Sequence, residues 1–295
     1  MLPLLHAESI HWHWHPDIVF LCALLIGGYA FAMGGLRHER SDAMRIRWVQ
    51  VASFMAGVAA IYLVSSWPIH EISESRLASV HMFQHLVYTM VAPPLLIWGT
   101  PSWLLRMPLR NKSVFSVARL ITHPLIAFAA FNAIQLVTHM PAAVNLALDG
   151  HAFHLFVHVL LVSSASLMWW PVLSPLDELP RLSYPLQMAY LFVQSLIPTV
   201  LAAFLTFSTG VFYDAYADAP RMWGLSPIED QQFAGFVMKV LGSIILWSFI
   251  AYAFFRWFEQ ENKSDRGPRW EEVQDEMNRL GLPIEGPQVR GGRLN

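Results

Sequence analysis

Charge is scarce in this sequence. Only 14% of its 295 residues are Asp, Glu, Lys or Arg, while 55% are hydrophobic. A soluble domain carries nearer about a quarter charged residues, so the chain reads as a membrane protein that crosses the bilayer repeatedly. Cysteine is scarcer still. Cys22 stands alone in an apolar run, which excludes internal disulfides, CxxC redox chemistry and a thiolate metal cage. It reads as a small buried apolar residue. There is no GxGxxG or P-loop, no CxxCH haem attachment, no GxSxG elbow and no basic stripe on a soluble domain. Phosphate-cradling folds, serine-hydrolase chemistry and nucleic-acid binding lose their usual carriers. The start, MLPLLHAESIHWHWHPD, lacks a basic region followed by an apolar one. No cleaved signal peptide is expected, and the first span is expected to remain.

What is present is a series of apolar runs long enough to cross a bilayer as helices. There are seven, running approximately over Ile18–Gly35, Ile46–Ser65, Ser79–Trp98, Thr122–His139, His151–Leu173, Tyr184–Ser208 and Gln232–Phe258. Pro124 and Pro185 fall at first-turn positions, where a missing N–H costs little. Pro93-Pro94 and Pro198 lie inside spans and predict kinks. Trp67, Trp169 and Trp170 read as residues of the interfacial belt. From Glu259 onward the chain is polar, with a short surface helix over PRWEEVQDEMNRLG ending at Gly281 and a Gly/Pro-rich disordered end.

Basic residues set the expected orientation. With the N-terminus outside, the inner segments hold Arg37, Arg40, Arg45, Arg47, Arg106, Arg110, Lys112, Arg119 and Arg181, and the tail from Arg256 adds seven more. Arg76 and Arg221 remain outside, with Lys239 inside the last span, where its long stem reads as snorkelling outwards. Sixteen against two is a positive-inside pattern, so N-outside and C-inside is expected. The same map leaves only His38 and His123 on the inner side. His6, His11, His13, His15, His70, His81, His85, His139, His151, His154 and His158 fall outside or in the outer half of a span, beside nine acidic residues. Such a face attracts cations.

The third span, SVHMFQHLVYTMVAPPLLIWGTP, carries His81 and His85 at i, i+4, on one helical face about one turn apart. On the fifth, HAFHLFVH puts His151, His154 and His158 in one stripe. The fourth ends in THMP, bringing His139 and Met140 to the same level, and the seventh begins IEDQQFAGFVMK, aligning Asp230, Ala234 and Met238. His81, His85, His139, His154, His158 and Asp230 are therefore expected to share one metal site. Histidine with carboxylate suits zinc, copper or iron; histidine with methionine leans to copper. Met82, Met140 and Met238 read first as packing residues. Glu74, seven residues before His81, shares that face if the helix begins early and otherwise reads as a solvated loop acid; HWHWHP reads as interfacial anchors or an outer metal collector.

The motifs SVHMFQHLVYTMVAPPLLIWGTP, THMP, FHLFVH followed by LMWWPVLSP, and WGLSPIEDQQFAGFVM occur in that order. Together they resemble the CtaG family of seven-span cytochrome c oxidase assembly factors, over about Trp12 to Phe258. The resemblance implies a multi-pass protein of the bacterial inner membrane that helps to assemble a haem-copper oxidase, with a role in copper supply. Matching positions are His81, Gln84, His85, His139, His154, His158, Asp230 and Gln231. Lys239 stands where the family often has tryptophan, and Thr138-His139-Met140-Pro141 stands where it usually has WHxP.

The expected architecture is an all-α bundle of seven transmembrane helices: an extracytoplasmic His-rich segment (1–17), a membrane domain (18–258) and a cytoplasmic tail (259–295). The expected function is binding of copper, as Cu(I) or Cu(II), in the outer leaflet and its supply to a nascent haem-copper oxidase subunit, without catalytic turnover. Two rivals stand beside it: a histidine-box di-iron hydroxylase or desaturase, whose boxes should face the cytoplasm, and a bis-histidine haem protein. The orientation is testable directly. Reporter fusions at Asn145 and Asn262 should give opposite signals, the first extracytoplasmic; equal signals would end the topology and the outer-face argument.

Overall fold

A backbone surrounded by lipid has no water to bond, so it must satisfy its peptide groups internally. This chain does so with helices. The computed structural model describes residues 12, 14–36, 47–265 and 270–281, and among these there is no strand. The helices are α1 (Pro16–Phe31, continued by a π turn, Ala32–Leu36), α2 (Trp48–Val64), α3 (Ile69–Ser75) and α4 (Ala78–Leu86). A π turn at Val87–Val91 leads into α5 (Ala92–Gly99), followed by α6 (Ser102–Leu109), α7 (Lys112–Ile121), α8 (Pro124–Thr138) and α9 (Pro141–Asp149). The chain continues with α10 (His151–Leu173), α11 (Tyr184–Phe207), α12 (Asp214–Ala217), α13 (Pro227–Asp265) and α14 (Trp270–Arg279).

Among the described residues, five stretches are long and apolar enough to cross a membrane: Pro16–Gly35, Ala78–Gly99, His151–Leu173, Tyr184–Phe207 and Pro227–Asn262. Two bent pairs raise the number to seven if each counts as one span: α2 with α3, bent by 47°, and α7 with α8, bent by 68°. The seven apolar runs thus correspond to five long helical stretches and two broken ones. The last helix is longer at both ends than its apolar run, because Pro227 suits a first turn and polar residues through Asp265 continue the helix. Gly281, at φ +66°, follows the short helix α14. The end beyond it, like His13 and the residues before Trp12, lies outside the described residues.

Proline shapes the core by freeing carbonyls, and buried donors then take them. Pro68 has no N–H to offer Val64, four residues back, and the chain bends there; Val64 O instead accepts from Gln84 Nε2 at 2.8 Å. Pro93 likewise leaves Thr89 O free, and the indole of Trp169 donates to it at 2.9 Å. The Pro93-Pro94 step makes its disturbance one turn earlier, as the π turn in which Ala92 N–H reaches back to Val87 O. Trp169 is therefore not a belt residue. It is fully buried, packed with Met90, Phe131, Met168 and Leu191 in the core. α11 runs unbroken through Pro198.

Two glycines set close helix approaches. A Cβ on Gly99 would lie 2.4 Å from the backbone N of Phe54, so α5 meets α2 only without one. A Cβ on Gly235 would lie 2.4 Å from Thr206 Oγ1 and 2.7 Å from Ala202 O, which fixes α13 against α11. The turns carrying His15, His70, His139 and His151 gather at one end of the bundle, while Arg106 pairs with Glu178 at the other. Gly99→Val should lower the thermal midpoint of the detergent-solubilised protein, with about 1–3 kcal/mol lost to overpacking. Gly28→Val, at a position with open space around it, is the control. Equal midpoints would remove the close approach as a determinant of stability.

Candidate metal centre

Helix spacing alone brings histidines together in pairs; the packing of α5 and the π turn before it against α10 turns two pairs into a square. His81 and His85 lie on α4, His154 and His158 on α10, all buried. His81 stacks on His154 with ring centroids 5.5 Å apart, and His85 meets His158 edge-on at 5.3 Å. Within the helices the rings are 4.3 Å apart for His81–His85 and 4.2 Å for His154–His158. His139, closing α8, approaches His85 from the far side at 5.3 Å. One ligand atom each from His81, His85 and His158 lies within 4.8 Å of the others.

The hydrogen bonds around the square decide which ring nitrogens carry protons. Tyr216 O–H donates to Ser73 O at 2.5 Å, so its oxygen is free to accept from His81 Nδ1–H at 2.9 Å. His154 Nδ1 pairs with Glu74, and His139 Nδ1–H donates to Gln135 O at 2.7 Å. In each ring the proton points away from the square, and Nε2 is left with a lone pair. Nε2 of His154, Nε2 of His158 and Nδ1 of His85 are buried without any hydrogen-bond partner among the described residues. Buried nitrogens in that state are costly, and a cation is one of the few species that satisfies several at once. His81 Nε2 and His85 Nε2 are 2.8 Å apart, a hydrogen bond. Two ligands at about 2.0–2.1 Å from one ion stand roughly 3.3 Å apart at tetrahedral angles, so these two rings would have to open slightly to hold a metal.

Asp230 is elsewhere. Its Oδ2 accepts from Ala78 N at 2.7 Å, and its Oδ1 from Ser79 N at 3.2 Å and Ser79 Oγ at 2.5 Å. The carboxylate thus caps the N-terminus of α4, where free N–H groups and the helix dipole favour a negative charge. Spacing along α13 gave the right depth but not the direction of the side chain. Asp230 aims the histidine helix instead of facing its rings.

Three partners escape a reading by periodicity. Glu74 is not a solvated loop acid: it lies in α3 and bonds both His70 Nε2, at 3.1 Å, and His154 Nδ1. His70 is buried, with Nδ1 accepting from Gln84 Nε2 at 3.1 Å. Tyr216 sits in a four-residue helix, α12, too short for any pattern. Burial, followed by the charges of Glu74 and Asp230, pushes its phenol well above the ordinary range and keeps it neutral. Glu74 was seven residues before His81, the one spacing signal for it.

Behind His85 and His139 lies a cavity of about 40 Å³, room for one or two water molecules. Lys239 lines it and does not snorkel: Nζ donates to Thr199 Oγ1 on α11 at 2.6 Å. Met82 and Met238 line the same cavity from their packed positions, while Met140 is exposed. His151 stays near the surface, its Nε2 3.3 Å from Asp17 Oδ2. His123, before α8, sits at the opposite end of that helix from His139.

An all-helical bundle with, among the described residues, five to seven candidate spans and six buried histidines defines a polytopic helical membrane protein with an imidazole-lined core. The chain belongs to the family described as cytochrome c oxidase caa3 assembly factor, Caa3_CtaG, whose pattern matches residues 27–260. Curated relatives include uncharacterized proteins of Mycobacterium bovis and Mycobacterium tuberculosis. Each is 23% identical over 279 residues, an alignment covering 85% of this chain. The chain spans 40% of the length of these relatives. No solved structure matches it.

Asp230→Asn replaces an anionic cap with a group that also presents donors. Loss of roughly 1–3 kcal/mol is expected, read as a lower thermal midpoint in detergent. Glu229→Gln, at an exposed neighbouring position, should change it little. A midpoint unchanged by Asp230→Asn would show that the cap carries no stability.

Proposed function

We propose that this protein assists assembly of a haem-copper cytochrome c oxidase by holding copper as cargo and passing it to a nascent oxidase subunit. The observation that carries the reading is the convergence of His81, His85 and His158, with buried nitrogens on His85, His154 and His158 that have no partner among the described residues. Family membership supports an oxidase as the client, and copper is chosen here because a haem-copper oxidase needs it; an all-imidazole set by itself also suits zinc or iron. Transfer proceeds by ligand exchange. A site of neutral imidazoles without thiolate or anionic ligand holds the ion loosely enough to surrender it to a tighter acceptor. The protein's own residues orient the donors: Tyr216, Glu74 and Gln135 take the outward protons, and Asp230 fixes α4. No turnover is required, and a role other than that of an enzyme follows. The bilayer is the bacterial plasma membrane, with the N-terminus and the histidine end on its outer side.

Purified protein equilibrated with Cu(I) against a competing chelator tests this. His85→Ala and His158→Ala should weaken retained copper by more than about tenfold, while His123→Ala should match wild type. Wild-type retention by both site variants would remove the site. In cells, deletion should lower haem-copper oxidase activity and spare unrelated respiratory dehydrogenases. Normal oxidase activity under copper limitation would count against supply.

A further inference from the structure

The buried square is connected to the surface by a line of other potential ligands, and these do not belong to it. His151 and Asp17 stand at the surface, with side chains 58% and 24% exposed and 3.3 Å between Nε2 and Oδ2. The ring of His15 lies 6.2 Å from that of His151 and 4.5 Å from that of His70, centroid to centroid. His70 is 5.8 Å from His154, which is 4.2 Å from His158 in the square. Exposure falls along the line, to 5% at the side chain of His70 and 2% at His154. Glu74, 28% exposed, bonds both of these inner rings.

Two atoms on this line lack a partner among the described residues: His15 Nε2 and Asp17 Oδ1 are both buried from solvent without a hydrogen bond there. One is an imidazole nitrogen and the other a carboxylate oxygen, both first-row metal ligands. They come from the turn into α1, whereas His151 and His154 come from α10, and His70 and Glu74 from α3. Three separate segments therefore converge on one route. Centroid steps of 4.2–6.2 Å let successive rings touch the same ion before the previous ring lets go. A cation leaving water also needs compensating negative charge. Asp17 supplies it at the mouth and Glu74 at the point where the route becomes buried.

We propose that His15, Asp17 and His151 form an outer receiving site for a copper ion, which passes by way of His70 and Glu74 to the buried square. The inference rests on the reading of that square as the copper-holding site. Receiving and holding are then separate tasks of separate residues: the outer donors set the rate of loading, and the square sets retention.

The test uses the full chain in detergent, with the Cu(I) complex of a coloured chelator as donor, and follows loss of its absorbance with time. The double variant His15→Gln/His151→Gln should load at least about tenfold more slowly, with the copper held at equilibrium unchanged. His151→Lys, at an exposed position, leaves packing intact and puts a fixed positive charge at the mouth; it should slow loading as well. Loading of both variants at the wild-type rate would overturn the route while leaving the square standing. A wild-type protein that retains no copper would overturn the square and the route together.

Discussion

The centre depends on where the imidazole protons go. Each neutral ring has one donor and one acceptor nitrogen, and in a site closed to water both need partners. Glu74, Gln135 O and the Tyr216–Ser73 pair stand outside the square as acceptors, so the protons of His154, His139 and His81 turn outward. The lone pairs then face one another across the interior. If those outer acceptors were replaced by apolar groups, more of the rings would donate to each other, as His85 Nε2–H already does to His81 Nε2, and fewer lone pairs would face the interior. The second layer therefore determines the chemistry of the first.

That second layer is itself a consequence of helix breaks. α3 exists as a separate short helix because Pro68 ends the run begun by α2, and α3 carries Ser73, His70 and Glu74 to the mouth of the square. The carbonyl left over by that break is the one Gln84 takes, and the same amide nitrogen lies 3.1 Å from His70 Nδ1 and 3.0 Å from Tyr88 OH, so its two hydrogens are shared among three acceptors. A single amide thus ties the break, the second layer and the histidine helix together. The π turn after α4 and the Thr89–Trp169 bond do the same for the core beneath.

How much of this can be read from sequence follows from the range of each signal. The pairs His81/His85 and His154/His158 are legible because an i, i+4 spacing fixes a face on any helix, and apolar length marks the helices that carry them. Glu74 and Tyr216 are not legible that way, since they sit on helices of seven and four residues. Asp230 is visible as a buried acid at the right depth, but a sequence says nothing about which way a side chain turns around the bundle. Lys239 misleads for a similar reason: a long stem near a span end suits snorkelling, yet a hydroxyl on α11 holds it inside. The tryptophans near span ends suit the interface equally well, and only the carbonyl freed by Pro93 explains why Trp169 is drawn inward.

The cap on α4 has a bearing on biosynthesis. Asp230 lies 152 residues beyond Ala78, on the last of the long spans. During synthesis α4 emerges early, with its first N–H groups uncapped until α13 has inserted and packed. The histidine helix therefore takes its final position only once the bundle is nearly complete. Until then the square has no fixed outline, and a half-made chain presents no finished binding place to whatever ions surround it. The covalent order of the chain thus acts as a timer, and the finished outline of the square arrives together with the last long span.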